Sequence, residues 1–181
     1  EIYTLSLHDA LPISVPMQST QAGRQLWRVD GSMTCADYPS ARFEEHRVGT
    51  DGTDVALAIS LAQPVVSDVL TYVTEALPRV GRVLECVLPG GPGPGPGRVV
   101  DGTHAQLLVQ QITKHLRSDR TREERQGRLH LFAAAPNGLL FFLGQLGRGL
   151  GPCTLYEYDF EGNAQGAYTP SITFPTDLHP R

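Results

Sequence analysis

Apolar and polar positions follow two rhythms along this chain. Val55–Leu61 (VALAISL) is an apolar run of strand length, as in a strand covered on both faces. After Pro64 the apolar positions Val65, Val66, Val69, Leu70, Val73, Ala76 and Leu77 fall at helical spacing, with Ser67, Asp68, Thr71, Thr74 and Glu75 opposite. Pro64 suits the first turn of that helix, and Pro78 ends it. Gly81–Leu88 (GRVLECVL) reads as the next strand. A second strand, proline, helix and strand follow: Arg128–Ala135 (RLHLFAAA), Pro136, a helix through Leu139, Leu143, Leu146 and Leu150, and Pro152–Phe160 (PCTLYEYDF). Phe141 and Phe142 widen the apolar face of that helix almost all round, which predicts deep burial.

Between the two units Gly90–Gly97 (GGPGPGPG) excludes helix and central strand, so it is a loop. It leads through Asp101-Gly-Thr-His104 into a helix with Ala105, Leu108, Val109, Ile112 and Leu116 on one face. Arg117–Gln126 is dense in charge and reads as a solvated helix end and loop. Ser14–Gln25 is polar and reads as a linker. Trp27–Gly49 holds short β-like pieces (LWRV, RFEEHRV), Thr50–Asp54 is a turn, and Ala167–Pro175 is a final extended piece. An ungapped offset of 72 carries Leu57 to Leu129, Ala62 to Ala134, Pro64 to Pro136 and Glu85 to Glu157. Strands alternating with helices imply an α/β fold. The expectation is two tandem β-α-β units, about 50–126 and 127–175, with mainly parallel sheets and a crevice between them.

Composition narrows the picture. The chain has 181 residues, 15 basic and 19 acidic, and 40% are hydrophobic, which is globular and argues against a duplex-DNA binder. Glu1–Ile13 (EIYTLSLHDALPI) resembles a translated sequencing-library adapter and is set aside, with the expectation that a natural segment upstream is missing. Cys35, Cys86 and Cys153 form no CxxC pair, so no zinc or disulfide framework follows. Cys86 and Cys153 sit in apolar runs and read as small buried hydrophobes, which fits a reducing cytoplasm. No apolar run approaches the ~18 residues of a membrane span. Neither unit carries GxGxxG or a Walker-type motif, and Lys114 is the lone lysine, so a dinucleotide coenzyme or ATP hydrolysis has no support and no cofactor is expected.

In each unit a strand ends just before a helix. Open α/β sheets bind ligands outside the carboxyl ends of their strands, where helix starts offer unpaired N–H groups and roughly half a positive charge. The small residues Ala62, Ala133, Ala134, Ala135 and Gly138 let a ligand approach that backbone. Two such starts, with a third after Gly102, suit an anionic ligand bearing several phosphates. Each start adds only ~0.3–1 kcal/mol, so stacking and base hydrogen bonds must supply the rest.

Residues 128–175 (RLHLFAAAPNGLLFFLGQLGRGLGPCTLYEYDFEGNAQGAYTPSITFP) resemble the C-terminal half of a SAVED domain, a sensor of bacterial cyclic-oligonucleotide anti-phage (CBASS) signalling. The likeness extends back through Val55–Leu61, Pro78, the glycine–proline loop and Asp101–Ala105, covering about Leu26–Pro175 of a sensor region placed at 26–181. It implies two fused CARF-like, Rossmann-like units and a cyclic di- or trinucleotide made by a partner nucleotidyltransferase. It further implies self-association on binding and activation of an effector N-terminal to the sensor. The residues hold no coherent nucleophile–base pair, metal cluster or phosphate-cleaving motif, so no catalysis by the domain itself is expected, nor membrane or DNA contact. A nuclease of the same fold that degrades cyclic oligonucleotides, or an oligomerisation module with a vestigial pocket, are the rivals.

The candidate ligand contacts are Ala62, Gln63, Pro64, Arg98, Gly102, Thr103, His104, Ala134, Ala135, Pro136, Asn137 and Gly138. Gln63 and Asn137 can donate and accept from one amide, which suits a base edge. Arg98 follows a glycine-rich loop and could close its planar fork over a phosphate. Thr103 and His104 open a helix beside that loop. His130 reads as a satisfied core or lining histidine, and Tyr156 and Tyr158 as core residues or a stacking platform. Glu157, Asp159 and Glu161 lack the partners a metal site needs, and Glu44, Glu45 and His46 read as a surface charge group, so no metal is expected.

Overall fold

A computed structural model of the chain describes residues 17–20, 23–30, 38–49, 51–91, 93–146, 149–160 and 168–175. The adapter-like Glu1–Ile13 and Cys35 lie outside the described residues. In the stretch read as linker, β1 (Met17–Thr20) and β2 (Gly23–Leu26) pair as an antiparallel hairpin. The chain continues through β3 (Arg42–Arg47), β4 (Asp54–Ser60), α1 (Val66–Ala76), β5 (Val80–Val87), α2 (Gly102–Asp119) and α3 (Arg122–Gln126). It ends with β6 (Leu129–Ala134), α4 (Asn137–Leu146), β7 (Cys153–Tyr158) and β8 (Tyr168–Phe174).

The two repeated units do not form separate sheets. They share a six-stranded sheet in the order β3-β5-β4-β6-β7-β8. β5, β4, β6 and β7 run parallel, while β3 and β8 join their outer edges antiparallel. The sheet is therefore mixed rather than mainly parallel. The expected crevice between two bodies becomes the place inside this sheet where strand order reverses, between β4 and β6. Chain connection runs from β4 outward to β5 and from β6 outward to β7. The repeat is thus a pseudo-twofold about an axis along the strands. Neighbouring strands are not in the register of the sequence repeat: Val55 pairs with Leu129 and Ser60 with Ala134, two residues beyond the repeat offset.

Alternation along β4 supplies both halves of the core. Ala56 and Ala58 meet Val69 and Val73 of α1, with Val83, Phe132, Tyr156 and Tyr168. Val55, Leu57 and Ile59 meet Leu108, Val109, Ile112 and Leu116 of α2 and Leu139, Phe142 and Leu143 of α4. All seven β4 residues are buried, as a strand covered on both faces requires. The small alanines suit the single helix on the α1 face, and the larger side chains suit the two-helix face. α4 is less enclosed than its composition suggests, because Leu146 is 40% exposed and Gly144 and Gln145 face solvent. Both described cysteines are free. Burial pushes the Cys86 thiol up to about 12 and the Cys153 thiol up to about 11, so they act as packing groups. No helix among the described residues is long and apolar enough to cross a membrane.

Part of the charge-dense Arg117–Gln126 segment is ordered rather than loop. Thr121 and Glu124 form a reciprocal capping box at the start of α3. That helix presents Glu124 to Arg82, which is only 5% exposed. Arg82 Nε and Nη2 donate to the two Glu124 carboxylate oxygens, each at 2.8 Å. Arg82 Nη1 donates to Glu45 at 2.7 Å and lies 2.8 Å from Asp119. One guanidinium thereby ties β5 to β3 and to the α2–α3 corner. His130 is buried between Tyr156 Oη at 2.9 Å and the Asp54 carboxylate at 3.5 Å.

Arg82→Ala should cost about 1.5–3 kcal/mol in urea unfolding, because it removes the charge-assisted hydrogen bonds by which one buried guanidinium holds Glu124 and Glu45. Acid should act in two stages. Burial lowers His104 and His130 below the ordinary 6.5, so the unfolded chain takes up protons that the fold refuses, and stability falls as pH drops below that value. For Glu124, burial opposes ionisation, but hydrogen bonds from Arg82 and the Thr121 backbone outweigh it and hold the carboxyl below 4.5. Its contribution is present above that pH and is lost as pH falls through the lowered value. Melting temperatures across a pH series should show both declines.

Candidate functional site

Three helices begin at the carboxyl edge of the sheet. The two proline-led turns meet there: the N–H groups of Leu61 and Ala62 both donate to the Ala134 carbonyl, at 3.0 and 2.8 Å. Ala62, Gln63 and Pro64 therefore lie beside Ala134, Ala135, Pro136 and Asn137 at the point where strand order reverses. Gln63, Pro64 and Asn137 are exposed, and the alanines are half-buried. The prolines do not start the helices as expected. Pro64 precedes α1 by two residues, while Pro136 accepts the first α4 bonds from Leu139 and Leu140.

The three helix starts are not equivalent. α1 is preceded by Val65 at its N-cap, which offers no side-chain cap; Ser60 Oγ accepts from the Val65 N–H at 3.3 Å. By strand alternation the Ala134 side chain lies on the same face as α1. Gln63, Pro64 and Ala134 thus frame an open helix start with little side-chain bulk. The other two starts are covered by the Trp27–Asp30 segment. A Cβ on Gly102 would stand 2.5 Å from the Arg28 carbonyl oxygen, and one on Gly138 would stand 2.5 Å from the Trp27 ring. Thr103 Oγ1 accepts from the Asp30 N–H at 2.8 Å. Trp27 is itself 4% exposed.

Five of the residues singled out from the sequence therefore serve packing and loop closure. Gly102, Thr103 and Gly138 receive the Trp27–Asp30 segment. His104 is fully buried: its Nδ1 accepts from the Val100 N–H at 3.2 Å, its Nε2 donates to the Pro39 carbonyl at 3.0 Å, and its ring stacks on Tyr38. It has no nitrogen left for a phosphate. Arg98 Nη2 donates to the carbonyls of Leu88, Pro89 and Gly90 at 2.9, 2.9 and 2.6 Å. It locks the glycine–proline loop onto the end of β5 instead of closing over a ligand. That loop crosses the end of β4, where Gly95 N–H donates to the Leu61 carbonyl at 3.0 Å. Of the two tyrosines, Tyr156 is buried against Phe132 at 4.5 Å, while Tyr158 is exposed beside Phe160.

One basic feature escaped the sequence reading. A groove of about 500 Å3 lies on the outer side of α2, lined by Gln110, Thr113, Lys114, Arg117, Ser118 and Leu146. Its lining spans two helices, so spacing along one of them did not reveal it. It lies away from the strand-end turns.

With this geometry in view, known proteins show three likenesses. A family model described as "SMODS-associated and fused to various effectors sensor domain" (SAVED) matches residues 6–174. CD-NTase-associated protein 4 of Enterobacter hormaechei subsp. hoffmannii (strain UCI 50) is 34% identical over 156 residues, covering 86% of this chain and 30% of that protein. The chain thus spans about a third of that relative's length. An Acinetobacter baumannii Cap4 SAVED/CARF-domain containing receptor, solved with the cyclic trinucleotide 3'3'3'-cAAA, superposes with a TM-score of 0.59 at 20% identity, covering 82% of this chain and 30% of the receptor. The same receptor with 2'3'3'-cAAA gives a TM-score of 0.52 at 20% identity, covering 72% and 26%. The fold is shared with these receptors.

Trp27 is the chain's single tryptophan, so its packing can be read directly. Gly138→Val should drive the ring out of its seat and move the fluorescence emission to longer wavelength. An unchanged spectrum would show that the segment does not rest on α4.

Proposed function

Since this chain belongs to the SAVED family of sensor domains, we propose that it binds a cyclic di- or trinucleotide at the carboxyl edge of its sheet. The observation that carries this reading is the junction of the two turns, where Ala62 and Ala134 share a hydrogen bond at the strand-order reversal. It supplies what such a ligand needs: an open helix start for a phosphate and small side chains that let the ring approach. Gln63 and Asn137 are exposed amides for base edges. The superposed receptors were solved with cyclic trinucleotides, which supports the ligand class.

The contacts in this reading are Ala62, Gln63, Pro64, Ala134, Ala135, Pro136 and Asn137. Gly102, Thr103, His104, Gly138 and Arg98 shape and brace the edge from behind. The domain acts as a sensor without catalysis of its own. Ligand binding promotes self-association and switches on an effector joined to its N-terminal side, in a bacterial cytoplasm where a cognate nucleotidyltransferase makes the signal.

Calorimetric titration with a panel of cyclic di- and trinucleotides tests this. One member should bind saturably, and chromatography of the mixture should return it intact. Ala134→Glu should weaken binding roughly 100-fold by setting a like charge at the α1 start. It should leave the melting temperature near that of the unaltered chain, because a carboxylate is tolerated there. Retained affinity would move the pocket elsewhere. A linearised ligand would favour a nuclease, and the absence of heat or thermal shift across the panel would favour a vestigial pocket.

A further inference from the structure

The edge strand β3 places Glu44 and His46 two residues apart, and so on one face. Glu85 of β5 stands directly opposite Glu44, and Val83, opposite His46, belongs to the core on the α1 side. One donor atom from each of Glu44, His46 and Glu85 lies within 4.8 Å of the others. The sequence reading set His46 among surface charges because Glu85 reaches it only through strand pairing.

The groups in this cluster are poorly satisfied. His46 Nε2 is buried and has no hydrogen-bond partner. It lies 3.6 Å from Glu85 Oε2, within ion-pair range but beyond a hydrogen bond. The Glu85 side chain is only 10% exposed, and no hydrogen bond reaches its carboxylate among the described residues. Burying a carboxylate and an imidazole nitrogen side by side without hydrogen bonds is costly. A direct charge-assisted pair would close to about 2.7–2.9 Å. The observed separation instead matches the edge of a tetrahedron with bonds of about 2.1 Å, which is about 3.4 Å. Glu44 Oε1 is engaged by Arg42, which leaves Glu44 its second oxygen.

We propose that Glu44, His46 and Glu85 form a site for a divalent transition-metal ion such as Zn2+, which cross-links the edge strand β3 to β5. Two carboxylates and one imidazole neutralise a dication and leave coordination positions for water. The imidazole selects against Mg2+ and Ca2+, which take all-oxygen shells. The site lies on the α1 side of the sheet edge and is independent of the strand-end turns. Its failure would leave the proposed nucleotide site untouched.

The test uses the purified chain after chelation and dialysis. Titration with ZnCl2 should give saturable 1:1 binding and a raised melting temperature, whereas MgCl2 should give neither. His46→Gln and Glu85→Gln should each weaken Zn2+ binding about 100-fold or more. Glu75→Gln, an exposed acid on α1, should leave it unchanged. In the unaltered chain, substoichiometric Mn2+ should first broaden the amide resonances of residues 44–46 and 85, a readout that needs no variant to fold. Absence of saturable Zn2+ binding, full affinity in both variants, or broadening centred on other residues would each overturn the proposal.

Discussion

The parallel pairing of β4 with β6 is the constraint from which the rest follows. Parallel neighbours cannot be joined by a tight turn, so each must leave the sheet through a crossover that packs on one face. The crossovers from this central pair run outward in opposite directions. With one handedness of crossover, α1 and α4 must then lie on opposite faces. The two core clusters show that they do. Because the strands are parallel, the helices nevertheless start at the same sheet edge, and the two turns touch.

That arrangement makes an edge with several electropositive helix starts and needs a way to occupy those it does not offer to a ligand. The Trp27–Asp30 segment does this for α2 and α4. Its close approach explains glycine at 102 and 138, since any side chain there would enter the segment. The asymmetry between a covered pair of starts and an open one is absent from the repeat. It separates Gln63 and Pro64, which are exposed at the open start, from Thr103 and His104, which are spent on internal bonds.

Charge is used in two ways. Arg82 is buried with its carboxylates in direct contact, so it behaves as a structural tie whose value depends on the whole set. At the opposite face of the same strand pair, the Glu85 side chain and the His46 Nε2 atom are buried without that completion. β3 thus alternates Glu45, which is satisfied by Arg82, with Glu44 and His46, which face the other way.

Much of the fold was legible in the residues. β4, α1, β5, α2, β6, α4, β7 and β8 stand within two residues of where their periodicity or apolar runs placed them, apart from the later end of α2 and the earlier end of α4. Local spacing determines which residues of an element face inward, and strand ends before helices mark the ligand edge. Register, sheet membership and the partners of single polar groups depend on segments far apart in the chain. Hence the merging of two units into one mixed sheet, the hairpin before Trp27, the burial of His104, the closure of Arg98 onto the β5 carbonyls and the meeting of His46 with Glu85 were decided only by tertiary structure. Hydrophobic periodicity reports the face a side chain takes, because burial needs only a direction; a hydrogen bond needs a particular atom at a particular distance, and only the assembled backbone supplies that.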